Sequence, residues 1–327
     1  MKILVLHPGA LGDVMLSLPA LELLKKQFAG ARITLAANLD YLSIVPNRIA
    51  DRRLSLSTLP LGKLFGSSPP PPADMEFWAS FDRILSWTGA GDEQFIGNLQ
   101  AIHREALVAR WRPARDERRH ASRLFADSLT SWIPVPENLP AVELRAGASQ
   151  LRSANHWFSQ RGVPPETSLI ALQPGAGSPS KRWPLDDFIQ LSHMLLEDRC
   201  DLVLIIEGPA ETGVGDRLAE ALPAARSLVA KCLPLDDLAA LLSKCRAYVG
   251  NDSGISHLAA GLGIPCVVLF GPTLPEQWAP LGRQVEVLRD IAGCTACKDG
   301  QSEGHRCLRN IPPAHVCRLL AAWYSGS

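Results

Sequence analysis

The chain has no surplus of charge: among its 327 residues, 33 lysines and arginines stand against 33 aspartates and glutamates. A protein balanced in this way has no global attraction for nucleic acid or for an anionic bilayer, so no nucleic-acid partner is expected and an anionic ligand must be met by a local patch. Long apolar runs are missing too. The most apolar stretches, LVLIIEG and IPCVVLFG, fall far short of the roughly 18 residues of a membrane-spanning helix. The opening MKILVLHPGALGD carries one lysine and a run interrupted by Pro8 and Gly9, without the apolar region and cleavage site of a secretory signal. A cytoplasmic protein, in peripheral contact with a membrane if in any, is the expectation. No short-period repeat is visible, and no strand-to-helix loop spells GxGxxG or ends in GK[ST]. Neither a dinucleotide nor a nucleoside triphosphate is therefore signalled, which disfavours an oxidoreductase.

What is present is alternation. The length allows two domains, each with its own core. In the first half, KILVLH, ARITLAA, RRLSLS and FDRILSW read as short strands, and DVMLSLPALELLKKQF reads as a helix that tolerates or bends at Pro19. SSPPPPAD reads as an exposed loop or extended spacer, and HASRLFADSLTSWI as a helix. In the second half, SLIALQP, DLVLIIEGP, RSLVAK, AYVGND and PCVVLFGP are apolar strands, each followed by a loop and a helical pattern. Strands buried on both faces and alternating with helices imply α/β units with mainly parallel, doubly wound sheets. Two such domains are drawn, residues 1–155 and 156–327, joined near 147–166. In open sheets of this kind ligands bind where strands run out into loops.

Four of those loops carry unusual chemistry. HPGALGD (7–13) has Gly9 and Gly12 for a sharp turn, and Asp13 falls where a helix starts; the aspartate suits either an N-cap or a reacting carboxylate. QPGAGSPSKRWPLDDF (173–188) packs Gly177, Ser178, Ser180 and Lys181 in front of a helix, a combination suited to a diphosphate, although a solvated turn would use similar residues. EGPAETGVGD (207–216) offers Glu211, either as a partner for ribose hydroxyls or as a first-turn acid. In NDSGISHLAAGLGIPCVVLFGPT (251–273), Asp252 or Ser253 caps the next helix, Gly254 leaves room for a ligand, and His257 lies about one turn on, as a hydrogen-bond donor to a ligand or as a structural histidine.

Eight cysteines in a chain expected to stay in the cytoplasm point to thiols or metal ligands rather than disulfides. Cys200, Cys232, Cys245 and Cys266 lie at the edges of apolar runs and read as core or near-core residues. Cys294, Cys297 and Cys307 follow a C-x2-C-x9-C pattern with His305 inside and Cys317 beyond. Such a set suits a structural Zn²⁺ or Fe site, or redox-active thiols; Cys317 lies in a helical pattern and is either the fourth ligand or a packed residue. The segment 103–123 carries seven arginines against three acids. It reads as a solvated face or as a surface for phosphates, sugar acids or an anionic membrane.

Taken in order, HPGALGDVMLSLPAL, QPGAGSPSKRWPLDDF and GNDSGISHLAAGLGIPCVVLFGPT resemble the signature segments of glycosyltransferase family 9, which includes the ADP-heptose:lipopolysaccharide heptosyltransferases. The resemblance covers nearly the whole chain. It implies a GT-B architecture, two facing Rossmann-like domains with the acceptor on the amino-terminal one and the nucleotide-sugar on the other. It also implies inverting transfer with no metal needed for catalysis. Residue by residue, Asp13 becomes the general base and Lys181 the diphosphate cation. Gly177, Ser178 and Ser180 line the phosphate loop, Glu211 holds the ribose, and Asp252, Ser253, Gly254 and His257 surround sugar and phosphates. Gly9 and Gly12 lie on the acceptor side. Relatives with similar terminal cysteines add to the expectation of a metal. The expected partners are ADP-heptose and an anionic glycolipid or glycan such as a lipopolysaccharide core, met at the cytoplasmic face of the inner membrane. One departure stands out: the first strand ends in His7-Pro8, where the family commonly has an arginine and a small residue. A relative with another donor or a protein acceptor, and a non-catalytic nucleotide-sugar sensor, are the competing readings.

Overall fold

Strand β1 (Lys2–Leu6) is the centre of the first sheet, and everything amino-terminal is arranged around it. It leads into α1 (Leu11–Gln27), β2 (Arg32–Ala37), α2 (Leu39–Leu42) and β3 (Arg52–Ser55), then α3 (Pro72–Ala79), β4 (Arg83–Ser86), α4 (Glu93–Ile102), β5 (Ala106–Val108) and α5 (Ala121–Asp127). The computed structural model describes residues 1–198, 200–292, 294 and 306–324. It forms two compact units, Met1–Val142 and Glu143–Ser327. The second contains α6 (Ala148–Ser159), β6 (Leu169–Gln173), α7 (Leu185–Asp198), β7 (Leu202–Glu207), α8 (Val214–Glu220), β8 (Ser227–Lys231), α9 (Leu235–Leu242), β9 (Ala247–Asn251), α10 (Gly254–Gly261), β10 (Cys266–Leu269), α11 (Pro275–Trp278), β11 (Val285–Leu288) and α12 (Pro313–Tyr324). The expected join at 155/156 falls inside α6, which belongs with the second unit.

Both sheets are parallel throughout, with strand orders β3-β2-β1-β4-β5 and β11-β10-β9-β6-β7-β8. Each order reverses direction once. In the first sheet β2 and β3 build outward on one side of β1 before β4 returns to its other side; in the second, β7 and β8 build outward from β6 before β9 crosses back. The loops that leave the two strands at a reversal diverge to opposite faces and open a crevice at their carboxyl ends. His7 and Trp87 follow the two strands of the first reversal, and Gln173 and Asn251 end the two strands of the second.

The strands β6, β7, β9 and β10 are buried along their whole length, as near-continuous apolar runs in a covered parallel sheet should be. The core of the second unit joins Ile170, Leu172, Val203, Ile205, Val249 and Val267 to Leu191 and Leu195 of α7 and to Val316, Cys317 and Leu320 of α12. In the first unit α1 packs on α5, and Leu4, Leu6 and Ile84 pack with Trp78, Phe95 and Leu99. Among the described residues no helix is long and apolar enough to cross a membrane.

Several local expectations change. Helix α1 starts at Leu11, two residues before Asp13, and continues through Pro19 without a break. The proline tract is not all spacer: Pro72 begins α3, where its missing N–H is no loss because a first-turn N–H has no intrahelical acceptor. The expected helix 120–133 is helical only over Ala121–Asp127, and the arginine-rich segment before it contains strand β5 and a loop instead of a helix face. Cys200, Cys245 and Cys266 are buried, but Cys232 is exposed, with a left-handed backbone at φ 45° that ends the run of β8. A residue in that region cannot continue a strand into the core.

Candidate functional site

The crevice of the second sheet gathers its three chemistry-bearing loops, 173–188, 207–216 and 251–273. Asn251, fully buried at the end of β9, is the joint between two of them. Its Oδ1 accepts the Trp183 N–H at 2.9 Å, and its Nδ2 donates to the carbonyls of Pro174 at 2.9 Å and Gly175 at 3.1 Å. One amide thus satisfies three backbone groups of the 174–183 loop that turn away from any strand partner. The loop is clamped from behind as well: the Trp183 indole is buried against Phe188 and donates to the Ile311 carbonyl at 3.1 Å. The cation of Arg182 closes the loop on itself through the Ala176 carbonyl.

Within this frame Lys181 and Asp252 meet, 71 residues apart in the chain, with Nζ to Oδ2 at 2.7 Å. The same Asp252 oxygen accepts the Thr273 hydroxyl at 2.6 Å. Asp252 is therefore not the helix cap. Ser253 is the N-cap of α10, its Oγ facing the Ser256 N–H, and it also donates to Gln173 Oε1 at 2.8 Å. Tyr248 and Ser256 complete that buried polar cluster beneath the loop. Ser178 and Ser180 hydroxyls lie 2.9 Å apart, just before Lys181. The result is a rim of hydroxyls, loop N–H groups and one ammonium, itself paired with the Asp252 carboxylate, at the amino end of α10, backed by a rigid polar floor. Chemically this arrangement receives an anion.

Glu211 lies buried beneath the same loop, and Gly175 makes room for it: a Cβ there would overlap the Glu211 carboxyl group. Burial raises the Glu211 pKa above the ordinary carboxylate value, opposed by the Arg182 guanidinium and by backbone groups at Gly208 and Ala176. Its neighbour Glu207 accepts the Gly215 N–H at 2.7 Å and so anchors the start of α8. His257 is buried in the first turn of α10, and Gly254 is its first residue. Gly177 lies in the loop with nothing near its Cα that would obstruct a side chain.

The first unit holds an independent feature. A cavity of about 850 Å³ opens at the carboxyl ends of β1, β2 and β3, lined by His7, Gly9, Asn38, Tyr41, Ser55, Ser57, Arg112 and apolar residues between them. It offers hydroxyls, an amide and a single cation, with no carboxylate among the lining side chains. Gly9 is there; Gly12 sits in the first turn of α1 and does not line it. Asp13 occupies the third position of α1, and its Oδ2 accepts the Ala10 N–H at 2.8 Å. It is the return half of a capping arrangement, not the N-cap. His7 is fully buried, and burial lowers its pKa from 6.5 to about 4, so the ring is neutral near pH 7 and Nδ1 can accept the Gly9 N–H at 3.1 Å.

The cysteines divide. Cys294 and Cys307 are buried side by side, with the Arg306 N–H on the Cys294 sulfur, whereas Cys317 packs in the core beside α7. Cys297 and His305 lie outside the described residues. Among the described residues no group of three or more metal-ligating side chains is arranged around a common point. Sequence reasoning passed over Thr273, Asn251, Gln173 and Arg182 in the second unit, and Asn38, Tyr41 and the two serines in the first. Asn251 and Thr273 stood at the ends of a stretch already singled out, but their partners are distant in sequence.

With this geometry in view, comparison with known proteins decides the family. A family model for glycosyltransferase family 9 (heptosyltransferase) matches residues 109–306. The chain belongs to glycosyltransferase family 9. As a member it is a glycosyltransferase, as the three motifs implied. It is 28% identical to lipopolysaccharide heptosyltransferase 2 of Escherichia coli K12 over 98% of both chains. The fold is shared with solved structures: E. coli ADP-heptose lps heptosyltransferase II at a TM-score of 0.74 and 22% identity, covering 98% of each chain; and a glycosyl transferase family 9 protein from Veillonella parvula DSM 2008 at 0.76 and 20%, covering 100% of this chain and 98% of that one. The expected GT-B fold class is that of this glycosyltransferase.

Two outcomes follow from the buried polar groups. Asn251→Ala leaves three backbone groups of the 174–183 loop without their partner, and urea denaturation should show a loss of about 2 to 4 kcal/mol; a loss below about 0.5 kcal/mol would mean that water replaces the amide. The unfolded chain takes up a proton at His7 near pH 6.5 and the folded chain only near 4. Stability contributed by the neutral ring is present above pH 6.5 and is lost as pH falls through that window, by on the order of 3 kcal/mol. Asp13 packs against the loop beside the ring, and Tyr41 and Arg112 line the same cavity as His7. Denaturation at pH 7 and pH 4.5 should therefore show a smaller acid loss in His7→Phe than in the native chain.

Proposed function

We propose that the chain transfers heptose from ADP-heptose to a lipopolysaccharide core acceptor, with inversion at the anomeric carbon. The observation that carries this reading is the Lys181–Asp252–Thr273 constellation at the rim of the hydroxyl-rich loop, at a strand reversal. A diphosphate set there meets the Lys181 ammonium, the Ser178 and Ser180 hydroxyls and the N–H groups at the start of α10. Glu211, beneath the loop, is placed to accept hydrogen bonds from ribose hydroxyls. Gly177, Ser253, Gly254 and His257 complete the donor side.

The chemistry needs one base and one stabilised leaving group. The Asp13 carboxylate takes the proton of the acceptor hydroxyl as that oxygen attacks the anomeric carbon. The bond from that carbon to the diphosphate breaks, and ADP leaves with the electron pair. Its growing negative charge is stabilised by Lys181 and the loop dipoles, an effect of preorganised electrostatics. A positioned base contributes about 10² to 10⁴ in rate. The cavity of the first unit, with Gly9 on its wall and Arg112 as its cation, suits a sugar acceptor that carries an acidic group. No metal takes part in these steps. The likeness to lipopolysaccharide heptosyltransferase 2 supports the choice of donor and acceptor; the proposed place of work is the cytoplasmic face of the inner membrane. Buried together, Cys294 and Cys307 also suit two of the four ligands of a structural Zn²⁺ or Fe ion, with Cys297 a third; Cys317 packs in the core.

Calorimetric titration with ADP, UDP and GDP, followed by transfer from ADP-heptose, tests the reading. ADP should bind in preference to the others. Asp13→Asn should lower kcat at least about 100-fold with ADP affinity unchanged, while Lys181→Ala should weaken ADP binding about 10-fold or more because it also leaves the Asp252 carboxylate facing the diphosphate. Preference for UDP or GDP would discard the heptose donor, and normal turnover by Asp13→Asn would discard the base. Elemental analysis of purified protein should find Zn or Fe that Cys294→Ser and Cys307→Ser lose; a metal-free native chain would leave the cysteines as thiols.

A further inference from the structure

We propose that His7 is a positioning residue for the general base: its Nδ1 accepts the Gly9 N–H and thereby sets the short loop that orients the Asp13 carboxylate. The inference rests on Asp13 acting as that base. It concerns a residue at which this chain departs from the arginine common in its family.

The ring stands at the first strand reversal, and three other elements hold it. Phe125 of α5 stacks on it with centroids 5.4 Å apart and planes 23° apart; Trp87, just after β4, meets it edge-on at 5.4 Å; Trp111, beyond β5, lies tilted at 6.1 Å. Trp111 and Phe125 stack on each other, so the three aromatics form one packed cage. A fully buried imidazole in such surroundings costs desolvation that an apolar side chain would avoid, and buried polar groups of this kind are kept where a hydrogen bond uses them. Of the two ring nitrogens, Nδ1 meets that requirement through the Gly9 N–H.

Gly9 passes between the ring and the carboxylate with no room to spare. A Cβ at Gly9 would overlap the Asp13 Cβ and would lie 2.8 Å from both Asp13 Oδ2 and His7 Cε1. The next residue, Ala10, donates its N–H to that same Oδ2. Ring, Gly9, Ala10 and carboxylate are thus a closed chain of contacts within seven residues, and fixing the ring fixes the carboxylate. Displacement of a reacting group by about 1 Å costs on the order of 100-fold in rate, so a residue that does no chemistry can still control it.

Two substitutions separate this role from simple core filling. His7→Phe keeps a ring in the aromatic cage but has no acceptor for Gly9. His7→Asn gives up the ring but places Oδ1 where Nδ1 sits, so it can accept the same N–H. The assay is transfer from ADP-heptose to core-truncated lipopolysaccharide, with ADP titration and thermal melting in parallel. His7→Phe should lose on the order of 10- to 100-fold in kcat with ADP affinity and melting temperature near those of the native chain, and His7→Asn should recover most of kcat despite a lower melting temperature. The opposite order, with His7→Phe fully active and His7→Asn impaired, would make His7 a core residue and overturn the proposal. Asp13→Asn runs beside them: if it is inactive while His7→Phe is normal, only the positioning role falls; if it is fully active, the base reading and this inference fall together. Nitrogen NMR of the native protein labelled with ¹⁵N-histidine needs neither acceptor nor variant. It should show Nδ1 unprotonated at pH 7 with a through-bond coupling to the Gly9 nitrogen, and a ring protonated at Nδ1 would sink the idea.

Discussion

A parallel sheet that changes direction once leaves a place where two neighbouring strands send their chains apart, and the backbone there has no strand to pair with. Asn251 answers that constraint in the second unit by serving Trp183, Pro174 and Gly175 with a single side-chain amide. The groups proposed for the donor side depend on it. Lys181 and the serines are carried on the loop it holds, Asp252 is its chain neighbour, and Ser253 begins the helix whose amino end faces the same crevice. The polar floor of Gln173, Tyr248 and Ser256 makes the arrangement stiff, since every member is tied to at least one other. A stiff site suits a reaction in which charge grows on a leaving diphosphate, because dipoles already in place need not reorganise.

The first unit meets the same constraint by other means. There the turn after the central strand is short and rich in glycine, and the groups that hold it are a buried imidazole on one side and a first-turn carboxylate on the other. The glycine between them is required by space and not by backbone conformation: Gly9 is absent from the positive-φ residues, yet a Cβ would collide with both neighbours. Asp13 thereby carries two duties. It satisfies a backbone N–H at the start of α1, and that very bond holds its carboxylate in one orientation beside the cavity wall.

Much of this was legible from local pattern. The apolar runs SLIALQP, DLVLIIEGP, AYVGND and PCVVLFGP are strands because a sheet covered on both faces needs no polar alternation. What escaped notice was short or masked by composition. Strand β5 has three residues inside an arginine-rich segment, so charge hid it; α3 begins at a proline tract that reads as a spacer until its place in a first turn is seen. Cys232 looked like a near-core residue because it follows an apolar strand, but a left-handed backbone turns it out to solvent. The arginines of 103–123 are shared among Glu117, Asp127, backbone carbonyls and an indole face, a distribution that no linear charge count conveys.

By itself the sequence determined the two-unit α/β alternation, the loops in which chemistry would collect, and the kinds of group each loop holds, because periodicity and turn composition are local properties of a chain. Only the tertiary structure decided which groups meet. Lys181 and Asp252, Gly175 and Glu211, Asn251 and Trp183, and His7 with Trp87, Trp111 and Phe125 are all brought together by crossover connections. Strand order and the point of reversal set those meetings. They follow from how helices cover the two faces of a sheet, a global packing condition that leaves no trace in the spacing of residues along any one segment.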